Sequence, residues 1–107
     1  MATDHYTYRI SWSSEDSEYV ATCAEFPSLS WLDEDQVEAL TGIKRLVGDV
    51  VSDMRENGET IPTPIADQSF SGKFLVRLPP ELHRRLALEA AEAGVSLNRL
   101  ASFKLAD

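Results

Sequence analysis

The stretch from Lys73 to Leu78 alternates, with Phe74, Val76 and Leu78 on one face and Lys73, Leu75 and Arg77 on the other. No second strand follows it. Pro79 ends the strand, and Pro80 opens a helix, where its missing N–H is tolerated. Leu82, Leu86, Ala90 and Ala93 give that helix an apolar stripe, and Gly94 closes it. Ser96 caps a last helix with apolar positions Leu97, Leu100, Ala101 and Leu105. About 37 residues so arranged bury too little surface to fold alone, and an unpaired strand leaves its backbone groups open. The single cysteine, Cys23, lies elsewhere, and the tail holds no metal-ligand set. Pairing with a second copy satisfies both needs. Two strands then form one antiparallel ribbon, with Phe74, Val76 and Leu78 packed over the helices and Lys73, Leu75 and Arg77 facing out. Such a ribbon fits the DNA major groove, where Arg and Lys read guanine edges and an apolar group touches a thymine methyl.

The net charge of -8 argues against nucleic acid until it is divided along the chain. Residues 1–70 hold four basic residues (Arg9, Lys44, Arg45, Arg55) against fourteen acidic ones, a net of -10. Residues 71–107 hold six basic residues (Lys73, Arg77, Arg84, Arg85, Arg99, Lys104) against four acidic ones, a net of +2, and the two sum to -8. Such asymmetry points to two surfaces with different partners. The basic part can meet phosphates, and the acidic part suits a basic protein.

The first part reads as an α+β domain. Tyr6 to Trp12 alternates, with Tyr6, Tyr8, Ile10 and Trp12 on one side, as a half-buried strand does. A polar turn over Ser13–Ser17 leads to a second strand from Glu18 to Ala24, giving a hairpin with a loop longer than two residues. Phe26-Pro27-Ser28 interrupts it, and Leu29 to Leu32 is expected as a short third strand. A long helix follows. Asp33 is the expected N-cap with Gln36 as its capping-box partner, and Val37, Leu40, Ile43, Val47, Val50 and Met54 form the apolar stripe. Asn57-Gly58 ends it, with Gly58 in the left-handed conformation. Ile61-Pro62-Thr63-Pro64-Ile65 must be extended and is expected as an edge strand. The apolar-poor stretch 66–70 reads as a linker.

Little here suggests catalysis. Asp16, Glu18, Glu25, Asp33 and Asp49 are the carboxylates that metal-dependent nuclease chemistry would draw on, but they show no metal-ligand spacing. His5 and His83 have no Cys, Asp or Ser partner at a useful spacing and read as surface residues. Trp12 and Trp31 read as packing groups, and Cys23 as a small buried hydrophobe. No apolar run approaches the roughly 18 residues of a membrane span. The N-terminus lacks signal-peptide features, so the expected location is cytoplasmic. No cofactor is expected.

Phe74-Leu75-Val76-Arg77-Leu78-Pro79-Pro80-Glu81-Leu82, followed by Ala93-Gly94-Val95-Ser96-Leu97-Asn98, resembles the ribbon-helix-helix repressors. The resemblance implies base readout by Lys73, Leu75 and Arg77. It also implies a phosphate clamp from the backbone N–H groups of Leu97 and Asn98, capped by Ser96; helix N-termini bind anions for physical reasons. Leu75 departs from the polar reader common at that position. The whole chain resembles the HicB-type antitoxins of bacterial type II toxin–antitoxin pairs. The matching features are the tyrosine-bearing first strand, Phe26-Pro27-Ser28-Leu29, the Asp33–Gly58 helix, the Pro62–Pro64 pair and the tail; Ser30-Trp31-Leu32 departs from the small-residue turn often found there.

That resemblance implies an inactive, reduced RNase H-like domain (β-β-β-α-β, residues 1–65), a linker (66–70) and a ribbon-helix-helix (β-α-α) dimerisation and DNA-binding domain (71–107). It implies a non-enzymatic antitoxin that occludes a small basic HicA-type mRNA-cleaving toxin. It further implies that the antitoxin represses its own operon by binding operator DNA as a homodimer or dimer of dimers. The competing expectation is a stand-alone ribbon-helix-helix repressor whose N-terminal domain senses a ligand.

Overall fold

The computed structural model describes residues 2–107, which divide after Phe70 into two compact units. In the first unit, β1 (Tyr8–Ser13), β2 (Glu18–Cys23) and β3 (Ser30–Asp33) form an antiparallel sheet in the order β1-β2-β3. Tyr8 pairs with Cys23, Ile10 with Ala21 and Trp12 with Tyr19, and Ala21 pairs in turn with Trp31. These residues therefore share one face, and α1 (Gln36–Glu56, 21 residues) covers it. Ala21, Cys23, Ala39, Ile43, Val47 and Val51 are the centre of the core, with Tyr6 and Phe26 set edge to face beside it, 5.3 Å between ring centroids. The hairpin loop has the expected excess length, and Ser17 takes a positive φ of 52° to close it.

The start of α1 differs from the expectation. Asp35, not Asp33, is the N-cap: its side chain accepts the Glu38 N–H at 2.9 Å. Asp33 ends β3 instead, and its carboxylate accepts the Asp35 N–H. Either aspartate satisfies the sequence rule, and β3 pairing as far as Asp33 decides between them. The buried stripe is also rotated. It runs through Ala39, Ile43, Val47 and Val51, leaving Val37 and Leu40 exposed. The helix ends as expected, with Gly58 at φ 68° and the Glu59 N–H reaching back to Met54 O.

The expected strand over residues 61–65 is absent. Pro62 and Pro64 remove two donors, and the segment is held by side chains instead. The Tyr6 hydroxyl donates to Pro62 O at 2.6 Å, and the Ile65 N–H donates to the Glu25 carboxylate at 2.9 Å. Ile65–Asp67 then makes one 3-10 turn, occupying part of the stretch read as linker. His5 is not unpartnered: its Nδ1 lies 2.7 Å from Asp67 Oδ2.

The second unit holds α2 (Pro80–Ala93) and α3 (Leu97–Leu105). Pro80 opens α2, and Gly94 closes it at φ 71°, with the Val95 N–H bonded to Ala90 O. Ala90 is buried between the helices, whereas Ala93, expected on the stripe, is exposed. Residues 73–78 form no strand within the chain. A ladder needs a partner, and this unit contains no other extended segment to supply one.

Candidate nucleic-acid interface

Lys73, Leu75 and Arg77 fall in one exposed segment ahead of α2. Their apolar alternates, Phe74 and Val76, are 76% and 53% exposed. Burial of that face is thus not achieved inside one chain. Phe74, Val76 and Leu78 border an open groove of about 590 Å³ that Leu86, Leu97, Ala101 and Leu105 also line; Lys73 and Leu75, expected on the opposite face, line it too, so within one chain the two faces are not separated. Among the described residues, the backbone N–H groups of residues 74–78 donate no hydrogen bond, while the Lys73 N–H is held by Ser71 Oγ at 3.1 Å.

The other predicted group lies at the start of α3. Ser96 is its N-cap, with the side-chain oxygen accepting the Arg99 N–H at 3.0 Å. The Leu100 N–H reaches Ser96 O. The N–H groups of Leu97 and Asn98 take no acceptor among the described residues. They are the unsatisfied donors of a helix N-terminus, with the positive end of the helix dipole behind them. Leu97 and Asn98 also line the groove.

The basic residues of this unit separate by what they touch. Arg84 donates to Glu81 across one helical turn, Lys104 lies 3.3 Å from Glu89 and ties α3 to α2, and the Arg99 guanidinium sits over the Phe103 ring at 5.8 Å. Lys73, Arg77 and Arg85 make no ion pair among the described residues. The sequence showed six similar cations; the fold occupies three of them.

In the first unit, the carboxylates considered for nuclease chemistry do not converge. No group of three or more His, Cys, Asp or Glu side chains that could hold a metal occurs among the described residues. Glu25 serves a different purpose. It accepts the Thr7 N–H at 2.9 Å, the Thr7 hydroxyl at 3.2 Å and the Ile65 N–H at 2.9 Å. Partial burial opposes its charge, but the N–H donors of Ile65 and Thr7 outweigh that and hold its carboxyl below the usual 4.5. It staples the proline segment to the start of β1. Sequence offered no signal for this, because two of the three donors are backbone N–H groups and Ile65 is forty residues away. Cys23 is buried as expected, and burial pushes its thiol up.

No helix among the described residues is long and apolar enough to cross a membrane. Residues 56–105 match the family model described as the HicB family. No curated protein and no solved structure gives a match.

Proposed function

We propose, from the match of residues 56–105 to the HicB family model, that this chain is the antitoxin of a type II toxin–antitoxin pair that also represses its own operon. Residues 1–65, a reduced RNase H-like domain without catalytic carboxylates, occlude a small basic HicA-type ribonuclease. Residues 71–107 form a ribbon-helix-helix dimer on operator DNA. Two copies of the 73–78 segment pair as antiparallel strands and lay Phe74, Val76 and Leu78 into the apolar grooves. Lys73, Leu75 and Arg77 then read bases in the major groove, while the Leu97 and Asn98 N–H groups, capped by Ser96, clamp a phosphate.

The observation that supports this reading is that the unpaired 73–78 segment leaves Phe74 and Val76 exposed beside an open apolar groove. One chain leaves an exposed Phe-x-Val face and unsatisfied strand N–H groups, and both are met by a symmetric partner. The free Lys73 and Arg77 cations then stand on the ribbon's outer face.

Fluorescence anisotropy tests it, using the full chain, DNA from just upstream of its gene and a scrambled duplex at fixed salt. Wild type binds the upstream duplex more tightly, and Arg77→Ala loses roughly 1–3 kcal/mol of that discrimination. Equal binding of both duplexes, by the chain alone and with its basic partner added, rejects operator recognition.

A further inference from the structure

We propose that Trp12, Val37 and Leu40 form the docking face for the basic protein partner, an assignment that rests on the antitoxin reading above. Trp12 is 54% exposed and Val37 67% exposed, and Leu40 is also exposed. Val37 and Leu40 are three residues apart and so share one face of α1.

That face looks toward the strand that carries Trp12. Gly42 marks the flank of α1 that meets Trp31 on edge strand β3. At about 100° per residue, Leu40 stands roughly 200° from Gly42 around the helix, on the flank toward β1. Lys44, one turn beyond Leu40, confirms the direction: its Nζ lies 3.2 Å from Asp4, in the 3-10 turn just before β1. Trp12 lies at the matching end of the sheet. It pairs with Tyr19, which pairs with Asp33, three residues before α1 begins. The Trp12 ring is held edge-on against Tyr19, with centroids 5.1 Å apart.

Charge selects the occupant. No Lys, Arg or His occurs between Ile10 and Ile43. Around the apolar face stand Glu15, Asp16 and Glu18 on the hairpin, and Glu34, Asp35 and Glu38 where β3 passes into α1. A second copy of this chain would bring carboxylates against carboxylates. A protein presenting an apolar patch within Lys and Arg meets complementary charge around an aromatic anchor, the composition of a binding hot spot.

The test is titration calorimetry of the full chain with the small basic protein encoded beside its gene, at two salt concentrations. Val37→Arg and Trp12→Ala are compared with wild type, and circular dichroism checks each fold. Val37→Arg replaces an exposed side chain and keeps the test valid if Trp12→Ala unfolds. Val37→Arg is expected to weaken the complex about 30-fold or more, the loss typical of a hot-spot change. Wild-type binding that Val37→Arg leaves within twofold overturns this face while the antitoxin reading stands. A change in self-association caused by Val37→Arg, with partner binding intact, overturns it in favour of a second copy. No binding by wild type removes the antitoxin reading and this face together.

Discussion

The indole of Trp31, on β3, lies over Gly42 of α1 in the space that a side chain there would fill. A methyl group at residue 42 falls inside the ring. Alanine in a helix interior is ordinarily favoured over glycine by about 1 kcal/mol, but forcing an indole out of a packed interface costs about 1–3 kcal/mol. Gly42→Ala is therefore expected to lower stability in urea unfolding. In a Trp31→Ala background the same change should raise it by about 1 kcal/mol. A sign that does not reverse would show that the helix, not the ring, requires glycine.

Glu25 makes the first unit acid-sensitive. Its carboxyl sits below the ordinary value of 4.5 because the charged form accepts the Ile65 and Thr7 N–H groups against a desolvation penalty. A depressed pKa contributes stability above the unfolded value, and that contribution is lost as pH falls through the folded one. Melting temperature should hold above pH 4.5 and drop below it. Glu25→Gln is expected to cost about 1–3 kcal/mol at neutral pH, since bonds to a charged acceptor are replaced. It should also flatten the acid limb. A limb of unchanged steepness in the variant would assign the acid sensitivity to other carboxylates.

The exposed Phe74 and Val76 are expected to carry self-association. Phe74→Ser with Val76→Ser should give a monomer by analytical ultracentrifugation at concentrations where wild type is dimeric. The far-ultraviolet signal of the first unit should persist, because its core contains no residue beyond Ile61. A dimeric double variant would place the dimer contact elsewhere.

Ser96 separates a positioning contact from a reading one. Its side chain accepts the Arg99 N–H and sets the start of a nine-residue helix. Ser96→Ala should cost about 1 kcal/mol in stability. Because phosphate contacts position but do not specify, it should weaken specific and scrambled duplexes by similar factors. Lys73→Ala should instead narrow the gap between the two duplexes.

Much of the fold was legible because its elements are locally consistent. The Tyr8–Ile10 alternation, the Asn57-Gly58 stop and the Pro80, Gly94 and Ser96 punctuation each follow from short-range backbone physics. What sequence did not show depends on distant partners. Val37 and Leu40 fit the helical period as well as Ala39 and Ile43 do, and only the sheet beneath α1 distinguishes them. Residues 61–65 are extended in either reading; Tyr6 and Glu25, far away in the chain, hold them without a ladder. The strand expected over residues 73–78 does not form within one chain, and the sorting of paired from free cations required Glu81, Glu89 and Phe103 in place. Trp12 was read as packing, and it does pack on Tyr19, but its outer side stays open.

The strand N–H groups of residues 74–78 bear on how the protein responds to its own abundance. In the proposed dimer they are satisfied only by another molecule, so ordering of the tail is second order in protein concentration. Halving the number of chains then removes more than half of the ribbons, and the stability of the tail cannot be separated from the concentration at which it is measured. On that proposal the segment is an open thread within reach of proteases in dilute solution and a closed ribbon in concentrated solution. A regulator built this way counts its own copies before it touches DNA.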